Sequence, residues 1–164
     1  MPQILAQRAK SPPAQLEGFL AKFTPEVAAA ARDALARMRK RWPGAIELVY
    51  DNYNALAIGF APTERASEAV FSIAVFPRWV TLCFLRNGPR IPDPARLLKG
   101  AGSRVRHIRL QSAADIDSPD VRALMKEALD LAEVKVRRGA AAKGRLVIKS
   151  VSAKQRPRRP PVRP

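Results

Sequence analysis

The chain has 164 residues, nearly half of them apolar, which suits one domain with a real core and argues against a chain disordered throughout. No apolar run reaches the ~18 residues needed to cross a bilayer, and the polar stretch from Met1 to Lys10 lacks the apolar segment of a secretory signal. The net charge of +16 points to an anionic partner, while one cysteine, Cys83, and one histidine, His107, exclude an internal disulfide and make a poor zinc site. A reducing, cytoplasmic setting without metal, cofactor or membrane insertion is therefore expected.

Pro12-Pro13 opens a short helix whose Leu16, Phe19, Leu20 and Phe23 form one apolar stripe. Thr24 then reads as an N-cap, with Pro25 at the first helical position and Glu26 where a carboxylate favours the helix dipole. Val27, Ala31, Leu35, Met38 and Trp42 mark the buried face of this second helix, and Pro43-Gly44 stops it. From Ala45 the period changes to two. Ile46, Leu48 and Tyr50 alternate with Glu47, Val49 and Asp51, a half-buried strand. Asp51-Asn52-Tyr53-Asn54 is turn chemistry, and Leu56, Ile58 and Phe60 supply the return strand. Val70–Phe76 and Trp79–Leu85 are nearly continuous apolar runs joined by Pro77-Arg78, which predicts central strands. Their aromatics, Phe71, Phe76, Trp79 and Phe84, read as core packing rather than as a base-stacking sheet, because almost no Lys or Arg lies among them.

Pro92–Leu98 predicts one or two helical turns, closed by Gly100. Ile108 and Leu110 mark another short strand. Ser118-Pro119-Asp120 repeats the helix-start chemistry, with Val121, Leu124, Met125, Ala128, Leu129 and Ala132 as the apolar face of a third helix. Asp115, Asp117 and Asp120 read as helix capping, not as a calcium loop. Residues 1–12 are thus a polar leader and 13–134 an α+β domain. Residues 135–152 are a hinge and a candidate extra strand, and 153–164 a basic Pro/Arg-rich tail. Strands joined by tight turns predict an antiparallel sheet of about five strands. Two N-terminal helices and one C-terminal helix, each with one face to bury, are expected on one side of it.

This order, with Asp93-Pro94-Ala95-Arg96-Leu97-Leu98-Lys99-Gly100-Ala101-Gly102, Arg104-Val105-Arg106-His107-Ile108 and Leu146–Gln155, resembles the YdhG-like family over roughly residues 14–133. The resemblance implies a compact frataxin-like α/β sandwich and no established catalytic residues. It also implies an iron-chaperone role as one alternative. Frataxin-type iron binding uses an acidic helical ridge, however, and the first two helices offer Glu17, Glu26 and Asp33 against Lys22, Arg32, Arg37, Arg39, Lys40 and Arg41.

No catalytic constellation is visible. His107 reads as a strand residue and Cys83 as a small hydrophobe. Lys99, Gly100, Gly102, Arg104, Arg106, His107 and Arg109 form a candidate anion site, with glycine N–H groups free to approach an oxyanion beside two arginines. An enzyme acting on a phosphorylated small molecule would draw on the same stretch. Residues 135–164 hold 11 of the 30 cations, leaving the preceding body at +5. The tail residues Lys154, Arg156, Arg158, Arg159 and Arg163 are expected on a solvated, extended arm, available to nucleic acid or an acidic protein. The expected function is a non-enzymatic binding or accessory domain for an anionic partner.

Overall fold

A computed structural model describes residues 10–136 and 144–162. Helix α1 (Pro12–Leu20) starts at Ser11, whose hydroxyl accepts a 3.3 Å hydrogen bond from the Ala14 N–H. Helix α2 (Pro25–Arg41) repeats this arrangement at Thr24, which accepts from the Val27 N–H at 3.3 Å. Helix α3 (Pro119–Leu131) does so at Ser118, accepting from Val121 at 3.4 Å. In all three, proline occupies the first position, where its missing N–H costs nothing.

The strands are β1 (Ile46–Asp51), β2 (Leu56–Ala61), β3 (Phe71–Val75), β4 (Val80–Phe84), β5 (Arg106–Leu110) and β6 (Leu146–Val151), in the spatial order β5-β4-β3-β2-β1-β6. The first five strands pair antiparallel, through short turns at β1–β2 and β3–β4 and through longer connections at β2–β3 and β4–β5. The expectation of an antiparallel sheet of about five strands needs correcting at β6, which makes a sixth strand and lies parallel to β1. It follows α3 rather than a tight turn, so no hairpin obliges it to run antiparallel. Its register slips between Val49 and Tyr50.

Residues of the three helices share one buried cluster with Val49, Ile58, Phe71, Ile73, Leu82, Phe84 and Leu110, all from a single face of the sheet. Phe71 meets both Trp42 and Phe84 edge-on, with ring centroids 6.1 and 5.5 Å apart. The opposite face carries a smaller cluster of Leu48, Ala61 and Ala69, flanked by Ile46, Tyr50, Leu85 and Val147. The apolar half of β1 therefore lies away from the helices, and its other half turns Glu47 and Asp51 toward them.

A second correction falls at Pro92–Leu98, which forms a turn and no helix. The Asp93 carboxylate accepts from the Leu97 and Leu98 N–H groups, both at 2.9 Å. Arg96 sits at φ 54, a left-handed conformation that breaks any helical run. Asp115 caps the 3-10 turn Ala113–Asp117 through a reciprocal contact with Ser112, whereas Asp117 leaves capping altogether. It pairs instead with Arg37 and with Arg41, the latter at 2.8 Å.

Candidate anion-binding edge and the docked tail

Strand β5 forms one edge of the sheet, and a loop folds back beside it. Lys99 and His107 exchange backbone hydrogen bonds of 2.8 and 2.9 Å, which close the loop between them. Gly100 stands at φ +116, a conformation that L side chains rarely adopt. Gly88 donates to the Arg104 carbonyl at 2.8 Å. A Cβ there would come within 2.7 Å of both that oxygen and Arg106 Cγ. The Arg106 guanidinium donates to the carbonyls of Gly102 and Val105 in its own loop. Lys99, Gly100, Gly102, Arg104, His107 and Arg109 are exposed, and Arg106 is half-buried.

The charge of the stretch from the β3–β4 turn through β5 is lopsided. Residues 78–109 carry Arg78, Arg86, Arg90, Arg96, Lys99, Arg104, Arg106 and Arg109, and their one carboxylate, Asp93, is taken up by backbone N–H groups. None of these eight cations is in an ion pair among the described residues. The helical side is different. Arg32 pairs with Glu17, Arg37 with Asp33 and Asp117, Arg39 with Glu47, Arg41 with Asp117, and Lys126 with Asp130. Burial works against ionisation of Asp117, but the hydrogen bonds from Arg37 and Arg41 outweigh it and hold the carboxyl below its ordinary range.

The tail overturns the expectation of a solvated arm. Arg158 is only 5% exposed, and its guanidinium donates to Asp51 Oδ1 at 2.8 Å and to the Asn52 carbonyl. Asp51 is fully buried and also accepts from Lys22 Nζ at 2.9 Å. Arg159 donates to the Lys22 carbonyl at 3.1 Å and to the Ala21 carbonyl at 3.4 Å, near the end of α1. The Arg156 N–H donates to the Tyr53 carbonyl at 2.9 Å, and its side chain lies 5.6 Å from the Tyr53 ring. The physical cause is Asp51, an inward-facing carboxylate that cannot stay ionised in a core without cationic partners. Proline keeps such a segment out of helix and sheet, but that does not make it solvated. Lys154 and Arg156 remain exposed, while Arg163 lies outside the described residues.

Two surface grooves stand out. One, of about 530 Å³, includes Glu26, Arg78, Trp79, Arg109, Gln111 and Ser112 in its walls. The other, of about 560 Å³, includes Leu16, Arg39, Trp42, Phe60 and Arg145. The first brings Arg109 together with Arg78, which charge and motif patterns do not single out, and with Trp79, read from the sequence as core packing. Their signal is the two-residue turn Pro77-Arg78 between flanking aromatics. Phe76 donates its N–H to the Trp79 carbonyl across that turn at 2.9 Å, and the two rings lie 5.7 Å apart. The Arg109 guanidinium carbon sits 4.1 Å from the Trp79 ring centroid. Phe71 and Phe84 are fully buried, in keeping with core packing, whereas Phe76 and Trp79 are half-exposed and stand outside the core clusters.

Burial pushes the Cys83 thiol pKa up, and a hydrogen bond with Ser72 only partly opposes this, so the thiolate is disfavoured. Among the described residues no group of three or more His, Cys, Asp and Glu side chains could hold a metal ion, and no helix is long and apolar enough to cross a membrane. No family model matches the chain, and no curated protein or solved structure is significantly similar to it.

Proposed function

We propose that the chain is a non-enzymatic binding domain for an anionic partner, engaged mainly through the β5 edge and the loops beside it. The observation that carries this reading is the run of eight cations between Arg78 and Arg109 that enter no ion pair among the described residues, while Arg32, Arg37, Arg39, Arg41, Arg145 and Arg158 are each paired. Unpaired cations concentrated in one stretch of the fold produce a field that attracts polyanions and speeds their encounter. The tail has a smaller part here, because Arg158 is committed to Asp51 and Arg159 to backbone carbonyls.

Iron carriage finds little support. Glu17 and Asp33 are each held by an arginine, so the carboxylates of α1 and α2 are not gathered into a ridge. An enzyme acting through Arg104 and Arg106 would need them to converge on a concavity. Neither groove includes them, and Arg106 is turned onto its own loop.

The test is a fluorescence-anisotropy titration of a labelled DNA duplex at several salt concentrations. Replacing Lys99, Arg104 and Arg109 together by glutamine should reduce the salt slope by about three, roughly one per lost phosphate contact. An unchanged slope and affinity would remove the β5 edge from consideration.

A further inference from the structure

We infer that the groove beside Trp79 and Arg109 seats an unstacked nucleobase, so that the anionic partner is a single-stranded nucleic acid; this rests on the anion-binding reading above. Cations alone would accept any polyanion. The groove adds what cations lack. Trp79 and Arg109 line it together, the guanidinium 4.1 Å from the indole centroid, and Phe76 packs beside Trp79 with the two rings 5.7 Å apart. Successive strand residues alternate, so Phe76 and Trp79 point to the face that the core residues Val75 and Val80 do not. Arg109 is exposed, and a guanidinium held over an indole is a surface on which a base can stack.

The groove, at about 530 Å³, falls within the roughly 300–1,000 Å³ common for small-ligand sites. Its polar groups match a base better than a phosphate. The Glu26 carboxylate, which also lines the groove, would repel a phosphate placed there, yet it can accept hydrogen bonds from the exocyclic amine of a base. Gln111 offers both a donor and an acceptor. Glu26, Arg78 and Arg109 enter no ion pair among the described residues, so none must break a salt bridge to bind. Phosphates then fall to Arg78 on the turn and to Arg104 and Lys99 farther along the edge. Bases in a duplex are stacked inside it and cannot enter such a groove, so the strand must be single.

The two tryptophans make the test direct. Trp42 is 4% exposed and lines the other groove, so quenching that is lost in Trp79→Leu reports on Trp79. The probes are an oligodeoxyadenylate of about ten nucleotides, an abasic strand with the same number of phosphates, a DNA duplex and polyglutamate. The oligodeoxyadenylate should quench Trp79 and bind about tenfold tighter than the abasic strand. Trp79→Leu should abolish that difference while leaving the abasic affinity unchanged. Equal affinity of the wild type for the two strands, or duplex binding as tight without quenching, overturns the base seat and leaves the anion-binding reading standing. Preference for polyglutamate overturns it in favour of an acidic protein. If no probe binds, both readings fall. Should Trp79→Leu fail to fold in a thermal melt, the wild-type comparison of base-bearing and abasic strands decides alone.

Discussion

Arg158 and Asp51, 107 positions apart, meet at 2.8 Å with both side chains almost wholly removed from solvent. Asp51 ends β1 at a position facing the helices, and the segment after β6 delivers the guanidinium from the neighbouring strand. Losing one partner of a buried pair leaves the other charge uncompensated, which typically costs about 3–5 kcal/mol. Lys22 remains beside Asp51 in a variant, so the expectation for Arg158→Ala lies at the low end, about 3 kcal/mol. Urea unfolding should show this as a lower midpoint with an unchanged slope. Deleting residues 153–164 should destabilise at least as much. A melting temperature unaffected by both changes would mean that the tail is not packed structure.

The local signals and the long-range ones were not equally legible. Ser or Thr followed by proline marks the start of α2 and α3 because a cap and its first N–H donors lie within one turn. Alternation places β1, β2 and β5, and continuous apolar runs place β3 and β4, for the same reason, since both are local properties. What decides Asp51 is different. Its neighbours Asn52, Tyr53 and Asn54 read as a turn, and nothing nearby indicates that its carboxylate faces a core and must find cations. Arg158 looks solvated for the matching reason, as its partner is distant in sequence. The candidate edge was legible as charge in Lys99–Arg109, whereas the groove needed the β3–β4 turn and the N-terminal part of α2 brought together by the fold.

The pH dependence follows from the carboxylates. Burial raises the Asp51 pKa, but contacts from Gln155, Lys22 and Arg158 more than offset this and hold it below the ordinary carboxylate value; Asp117 is lowered in the same way. A group whose folded pKa is depressed adds stability that is present above its unfolded pKa, about 3.9 for aspartate. That stability is lost as pH falls through the folded pKa. Stability should thus be flat from neutral pH to about 5 and decline below about 4. Asp51→Asn should be less stable at pH 7 yet show a shallower acid decline in urea titrations. A decline of equal steepness would assign acid sensitivity to other groups.

Gly88 ties the β4 end to the loop before β5. A methyl group there would press on the Arg104 carbonyl and on Arg106 Cγ, each 2.7 Å away. The first of these is backbone and cannot rotate aside, so Gly88→Ala should cost about 1–3 kcal/mol. Because the displaced residues belong to the candidate edge, the variant should also alter polyanion affinity without removing a charge. Wild-type stability and affinity together would show that the loop is free to shift.

The division of charge between edge and tail gives the last prediction. Lys154 and Arg156 are exposed tail cations whose side chains make no hydrogen bond among the described residues, whereas Arg159, also exposed, donates to the Lys22 and Ala21 carbonyls; Arg156 is engaged through its backbone N–H and its approach to Tyr53. Replacing both by glutamine preserves the Arg158–Asp51 contact, which a truncation does not. The melting temperature should therefore remain within about 2 °C of wild type, as for other exposed substitutions. The salt slope on a DNA duplex should fall by two at most, since each cation releases at most about one counterion. The triple replacement of Lys99, Arg104 and Arg109 should reduce it by more, because those cations stand on a rigid strand edge and its closed loop. If the tail pair proves to carry the larger share, the partner docks at the Asp51 end of the sheet, and the β5 edge is an ordinary solvated surface.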